Sequence, residues 1–238
     1  GAALGAAVAI VGGAAFGGLP DAVGPYLLSL CAFLGGLGVT ALVYRLGRRD
    51  GQTNVATMLL AGIALTALAA SAVGLFTYLA DDATLRTLTF WNLGSLNGAS
   101  YSRLWPLLLV SAGVALWLPR RAKALNALLL GESEASHLGI NVEGLKRELV
   151  FCTALGVGAA VAAAGLIGFV GLVVPHLVRL LAGPDHRVLL PASVLAGASL
   201  LLFADLVARL ALAELPIGIV TAFIGAPFFL YLLLRGRA

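Results

Sequence analysis

Charge is what this 238-residue chain has least of. Asp, Glu, Lys and Arg make up 11% of it, against about 25% in a soluble domain. A disordered segment or a nucleic-acid module needs many more charges than that, so both classes are excluded. There are only two cysteines, Cys31 and Cys152, each inside an apolar run. A disulfide framework therefore has no support, and the two read as small interior residues. No glycine-rich loop followed by Lys and Ser or Thr occurs, so the chain has no phosphate cradle and is not an ATPase by itself. HExxH, a defensible pair of catalytic carboxylates and a Ser/His/Asp arrangement are also missing. His137, His176 and His186 stand singly. The reading is no catalytic residue, no metal site and no enzyme.

What is there in abundance is apolar surface. AVILMFWYC residues are 61% of the chain, 30 further residues are glycine, and the mean hydropathy is +1.02. No water-soluble fold hides that much, so the solvent is lipid. The chain opens at Gly1 rather than Met and without a charged amino-terminal flank, which does not resemble a signal peptide. The expectation is that the natural start precedes Gly1.

Runs long enough to cross a bilayer, about 20 residues, lie at Gly1 to Leu19, Ala22 to Tyr44, Val55 to Ala80, Leu104 to Leu118, Leu149 to Ala182, Val188 to Ala213 and Pro216 to Leu234. The fifth is too long for one crossing of a hydrocarbon core of about 30 Å. It contains Gly165, Gly168, Gly171 and Pro175, where a chain can reverse, and a split near Gly165 gives eight spans.

Cation placement tests that split. Eight spans put Arg45, Arg48, Arg49, Arg120, Arg121, Lys123, Lys146, Arg147, Arg179, Arg187, Arg235 and Arg237 on one side and Arg86, Arg103 and Arg209 on the other, 12 against 3. With seven spans, Arg209 moves in and Arg179, Arg187, Arg235 and Arg237 move out, leaving 9 against 6. Eight is preferred, with the carboxyl terminus cytoplasmic. The many Gly and Ala residues within the spans read as close helix packing. The Gly165, Gly168 and Gly171 series lacks the strand and helix context of a nucleotide fingerprint.

Asp205 is the single acidic residue inside a span, and Arg209 lies four residues on. At that spacing the two share a helix face. A structural ion pair is the first reading and a coupling-ion site, as in a secondary transporter, the second. The stretch Pro119 to Glu148 is too long for a structureless connector. Leu125, Leu128, Leu129, Ala135 and Leu138 predict short helices, with Gly139 as a stop and Glu132, Glu134, Glu143, Lys146 and Arg147 keeping the other face wet. On the outer side, Leu85, Leu88, Trp91 and Leu96 predict a short helix at the mouth, and Trp105 and Tyr101 suit the interfacial belt.

Four ordered motifs then stand together: LGESEASHLGINV (Leu130 to Val142), GLIGFVGLVVPHLVRLLAGPDHRVLLP (Gly165 to Pro191), ADLVARLA (Ala204 to Ala211) and ELPIGIVTAFIGAPFFLYLL (Glu214 to Leu233). Over nearly its whole length the chain resembles the FecCD-type permeases of ABC importers for ferric siderophores, cobalamin and haem. The resemblance implies an all-α polytopic membrane bundle of ten spans, of which eight are visible, forming a single permease domain over 1–238 with a cytoplasmic coupling loop at 119–148. It implies a location in the bacterial inner membrane, a homodimer with a pathway on its twofold axis, two cytoplasmic ATPase subunits that handle ATP and magnesium, and a periplasmic binding protein. No cofactor is expected on this chain, and no nucleic-acid partner.

The same resemblance implies that Gly131, Glu132, Glu134, Ala135 and Gly139 contact the ATPase. Thr53 and Asn54 would gate the pathway together with the span from Val55, with Trp91 near its mouth, and Arg209 would meet acidic residues of the binding protein. Ala56 to Ala69 and Leu85 to Ala99 look most like the haem branch. Haem is flat, apolar in its body and dianionic, so Arg86 and Arg103 are candidates for propionate pairing and Trp91 and Tyr101 for stacking. Arg86 serves equally well as an anchor of the mouth helix.

Overall fold

The structure, a computed structural model, describes residues 1–15, 24–49, 51–97, 101–211 and 215–235. Leu19, Ala22, Ala99, Ala213, Glu214 and Arg237, which bound or belong to sequence features above, lie outside the described residues, as does the side chain of Arg103.

The described residues are almost entirely helical. The helices are α1 (Ala2–Ala15), α2 (Gly24–Gly47), α3 (Val55–Leu79), α4 (Asp82–Leu93), α5 (Tyr101–Trp117), α6 (Ala122–Leu128), α7 (Glu132–His137), α8 (Val142–Ala164), α9 (Val170–Ala182), α10 (His186–Leu210) and α11 (Ile217–Arg235). A 3₁₀ turn, Leu118–Arg121, leads from α5 into α6. Among the described residues the one extended element is a minimal hairpin in which β1 (Arg48–Arg49) pairs antiparallel with β2 (Gln52–Thr53), turning at Gly51 with φ 83°.

Eight of these helices fall on the eight apolar runs. Four of them, α2, α3, α8 and α10, are long and apolar enough to cross a membrane, whereas α1, α9 and α11 are shorter apolar helices as described. The over-long fifth run breaks where the glycines stand. Gly165 takes φ 72° and donates its N–H to the Val161 carbonyl at 2.8 Å, closing α8, and α9 starts five residues later. Glycine suits this left-handed position because it has no Cβ to clash. Phe169, just before α9, also sits at positive φ, 66°.

Two boundaries differ from the sequence reading. α8 begins at Val142, so Glu143, Lys146 and Arg147 belong to its first turns and the separate segment between α5 and α8 ends at Asn141. Hydropathy marks the part of a helix that matches lipid, and the polar turns beyond it are invisible to that measure. The helix start is set instead by Asn141, whose side-chain oxygen accepts the Gly144 N–H at 2.8 Å, an N-cap. The helix predicted for the mouth, α4, ends at Leu93, which leaves Leu96 outside it.

The chain divides into two compact units. The first holds α1 to α3, α4 up to Asn92, the opening of α5, and α8. Its core is made by small residues: Gly35 of α2 sits so close to α1 that a Cβ there would lie 3.1 Å from the Gly5 Cα, and Gly5 in turn abuts the Cys31 carbonyl. Phe33 packs over Gly158 of α8, and the Ser29 hydroxyl donates to the Ala162 carbonyl at 2.9 Å. Such close backbone approach is what small side chains permit where lipid removes the hydrophobic drive for association.

The second unit holds 93–97, the rest of α5, the 3₁₀ turn, α6, α7 and α9 to α11. One cluster joins Ala204 and Ala208 of α10 to Ile217 and Val220 of α11. Another joins Val174 and Val178 of α9 to Leu189 of α10.

Candidate functional site

Three groups of predicted residues can be followed in the structure, the first within the first unit. Asn54 caps α3, its Oδ1 accepting the Thr57 N–H at 3.0 Å, and is exposed. Thr53 beside it is 6% exposed and held on all sides. Its N–H and its hydroxyl both donate to Glu143 Oε2, at 2.9 and 2.6 Å, while its carbonyl accepts from Lys146 Nζ at 3.1 Å. Lys146 Nζ also pairs with Glu143 Oε1 at 3.1 Å. Two residues on successive turns of α8 thus satisfy every polar group of Thr53. Sequence reasoning singled out Thr53 and, separately, Glu143 and Lys146 as solvated loop charges; their convergence was not visible in it.

The second group, in the second unit, is the segment assigned to the cytoplasmic side by cation placement. The predicted short helices are α6 and α7, separated by Gly131 at φ 112° and ended by Gly139 at φ 80°. Glu132 and Glu134 in the first turn of α7 are exposed, and Ala135 is fully buried. Leu129, Leu130 and Leu138 are left exposed around them, so an acidic, apolar-rimmed surface results.

This segment is anchored by a residue that sequence reasoning missed. Asn126 of α6 donates from Nδ2 to Asp185 Oδ1 at 2.6 Å and accepts the His186 N–H at Oδ1, 2.8 Å. His186 Nδ1 lies 2.8 Å from the same Oδ1. The Arg187 N–H and then the Asn126 amide hold the Asp185 carboxyl below the usual carboxylate range. The available signal was a lone amide in the apolar stretch Ala124 to Leu130 and an aspartate three residues before the apolar run from Val188, an N-cap pattern.

The third group is assigned to the outer side by cation placement. Arg209 Nε donates to Asp205 Oδ2 at 2.7 Å, with side chains 56% and 21% exposed respectively. Ser95, Asn97, Leu215 and Ile217 line a small cavity with this pair. In the first unit the Arg86 guanidinium lies 5.6 Å from the Phe90 ring centroid, a cation–π contact one turn along α4 that fits the anchoring role. Trp91 is half-buried and Tyr101 is 81% exposed.

Comparison with known proteins agrees with this architecture. The profile of the FecCD transport family matches residues 1–235. The chain belongs to the FecCD transport family. It is 46% identical over 227 residues to the hemin transport system permease protein HmuU of Yersinia pestis, an alignment covering 92% of this chain and 66% of that one. It is 45% identical over 214 residues to the vitamin B12 import system permease protein BtuC of Klebsiella pneumoniae, covering 89% of this chain and 64% of that one. The chain therefore spans just under two thirds of the length of these relatives. Among solved structures, an inward-facing conformation of a metal-chelate type ABC transporter superposes with a TM-score of 0.87 at 34% identity, covering 99% of this chain and 73% of the other. This FecCD-family chain is a multi-pass protein of the inner membrane.

Proposed function

We propose that this chain is the permease subunit of an ATP-driven importer of metal chelates, carrying haem from periplasm to cytoplasm along a pathway at a homodimer interface. The observation that carries the reading is the surface of α6 and α7. A membrane domain without a phosphate loop must be driven by contact with a separate ATPase. The glycine-bounded α7, with Ala135 buried and Glu132 and Glu134 exposed, is built as a firm cytoplasmic contact. Two ATPase subunits, with their ATP and magnesium, bind there; a periplasmic binding protein delivers cargo at the opposite side, meeting Arg209.

Haem is supported by the likeness to HmuU and by the exposed Tyr101 and Arg86. Cobalamin is the second reading, because the likeness to BtuC is nearly equal; a ferric siderophore is the third. An ion-coupled carrier has less support, since Asp205, the acidic residue it would use, is engaged by Arg209. The test is ATP hydrolysis by the reconstituted complex in proteoliposomes, stimulated by binding protein loaded in turn with haem, cobalamin or a ferric siderophore. Stimulation by haem alone is expected. Stimulation by another cargo alone overturns the haem assignment, and none by any cargo overturns the importer reading.

A further inference from the structure

We propose that Glu143 and Lys146 are positioning residues that fix the cytoplasmic start of α3 to the first turns of α8, so that movement of the α7 segment reaches α3 through α8. The proposal rests on the importer reading above and adds to it the path of the coupling.

Three observations carry it. α3 packs against α1 and α2 but buries none of its residues fully within the chain, so bonds at its ends add to its placement. At its cytoplasmic end Thr53 is buried, and both its backbone groups and its hydroxyl are bonded by Glu143 and Lys146, 90 and 93 residues further on. Asn54, next in sequence, donates its N–H to the Gly47 carbonyl at 2.9 Å, so the end of α2 and the hairpin are joined to the same point. Meanwhile α8 follows α7 through only Leu138 to Asn141, where Ile140 donates to the Ala135 carbonyl at 3.1 Å and Asn141 caps α8. In the chain, the segment that would meet the ATPase is therefore followed directly by the helix whose first turns grip Thr53.

A gripped end transmits displacement because its bonds are charge-assisted and doubled. One carboxylate oxygen takes two donors, and the ammonium closes the ring from Thr53 O to Glu143 Oε1. Such pairings are directional and about twice as strong as neutral hydrogen bonds. Loss of either side leaves polar groups of a buried threonine unmatched.

The test measures cargo moved per ATP hydrolysed in the reconstituted complex for Glu143→Gln, Thr53→Val, both together, and Thr53→Ser. Each of the first two is expected to lower that ratio by about three- to tenfold, the double variant by no more than the worse single one, and Thr53→Ser to restore it. The melting midpoint of each purified variant is measured in parallel. A lowered midpoint with an unchanged ratio would make the cluster purely structural, and additive losses would show that Thr53 and Glu143 act separately; either overturns the proposal. Thr53→Ser keeps both donors, so it reports on the idea even where Thr53→Val does not assemble. A wild-type complex without stimulated hydrolysis fails the importer reading itself, and the coupling path with it.

Discussion

Asn126 is joined to His186 twice through one atom: its Oδ1 accepts the His186 backbone N–H and faces His186 Nδ1, each at 2.8 Å. With the Nδ2 bond to Asp185 this fixes α6 to the start of α10. Asn126→Ala is expected to destabilise by about 1 to 2 kcal/mol, the cost of a half-buried N–H left without its acceptor. Asn126→Asp should be worse, because it removes the amide donor and sets a second carboxylate beside Asp185. Thermal melting of the two purified variants checks the order, and an Asp variant as stable as wild type would refute the bridge.

The Asp185 carboxyl is held below its ordinary value of 3.8 by the Arg187 N–H and the Asn126 amide. A group depressed on folding stabilises above its unfolded pKa, and that stabilisation is lost as pH falls through the folded one. Asp185→Asn keeps an N-cap side chain but not the charge. The melting gap between wild type and this variant should be constant from neutral pH down to about pH 5 and close below about pH 4. A gap that widens on acidification would contradict the sign.

Two glycines on α1 separate packing from propensity. A Cβ on Gly5 would strike the Cys31 carbonyl, while at Gly12 nothing lies within 4 Å. Gly5→Ala is expected to cost about 1 to 3 kcal/mol through forced separation of α1 and α2. Gly12→Ala should be neutral or stabilising by up to about 1 kcal/mol from helix propensity. Equal effects in a denaturation series would remove the close approach as the reason.

Sidedness follows from the twelve cations against three. Cysteines introduced at Gly51 and Glu134, both exposed, should react with an impermeant thiol reagent only from the cytoplasmic face, and one at Asn97 only from outside. Labelling of the Glu134 site in intact cells would invert the topology.

The two proposed docking surfaces are separable by charge. Glu134→Arg should abolish co-purification of the ATPase, whereas Arg209→Glu should slow association of the binding protein, since rim charges act mainly on encounter rate. If Arg209 serves only Asp205, the second variant instead lowers the melting midpoint and leaves association unchanged.

The linear order of residues was enough to establish the membrane class, the positions of the four long apolar helices α2, α3, α8 and α10, the break at Gly165 and the short α6 and α7. Each of these follows from local quantities: hydropathy summed over a window, the spacing of leucines, and a glycine where φ must be positive. The same local measure misplaced the start of α8, because the polar turn around Glu143 and Lys146 carries no hydrophobic signal. Only the tertiary structure decided that Thr53 meets Glu143, that Asn126 meets His186 60 residues away, and that Gly5 rather than Gly12 touches α2. Those pairings depend on which faces of distant helices converge. A helix reads the same in sequence whichever neighbour it packs against, so side chains that are solvated charges along the chain become partners only once the helix ends are brought together.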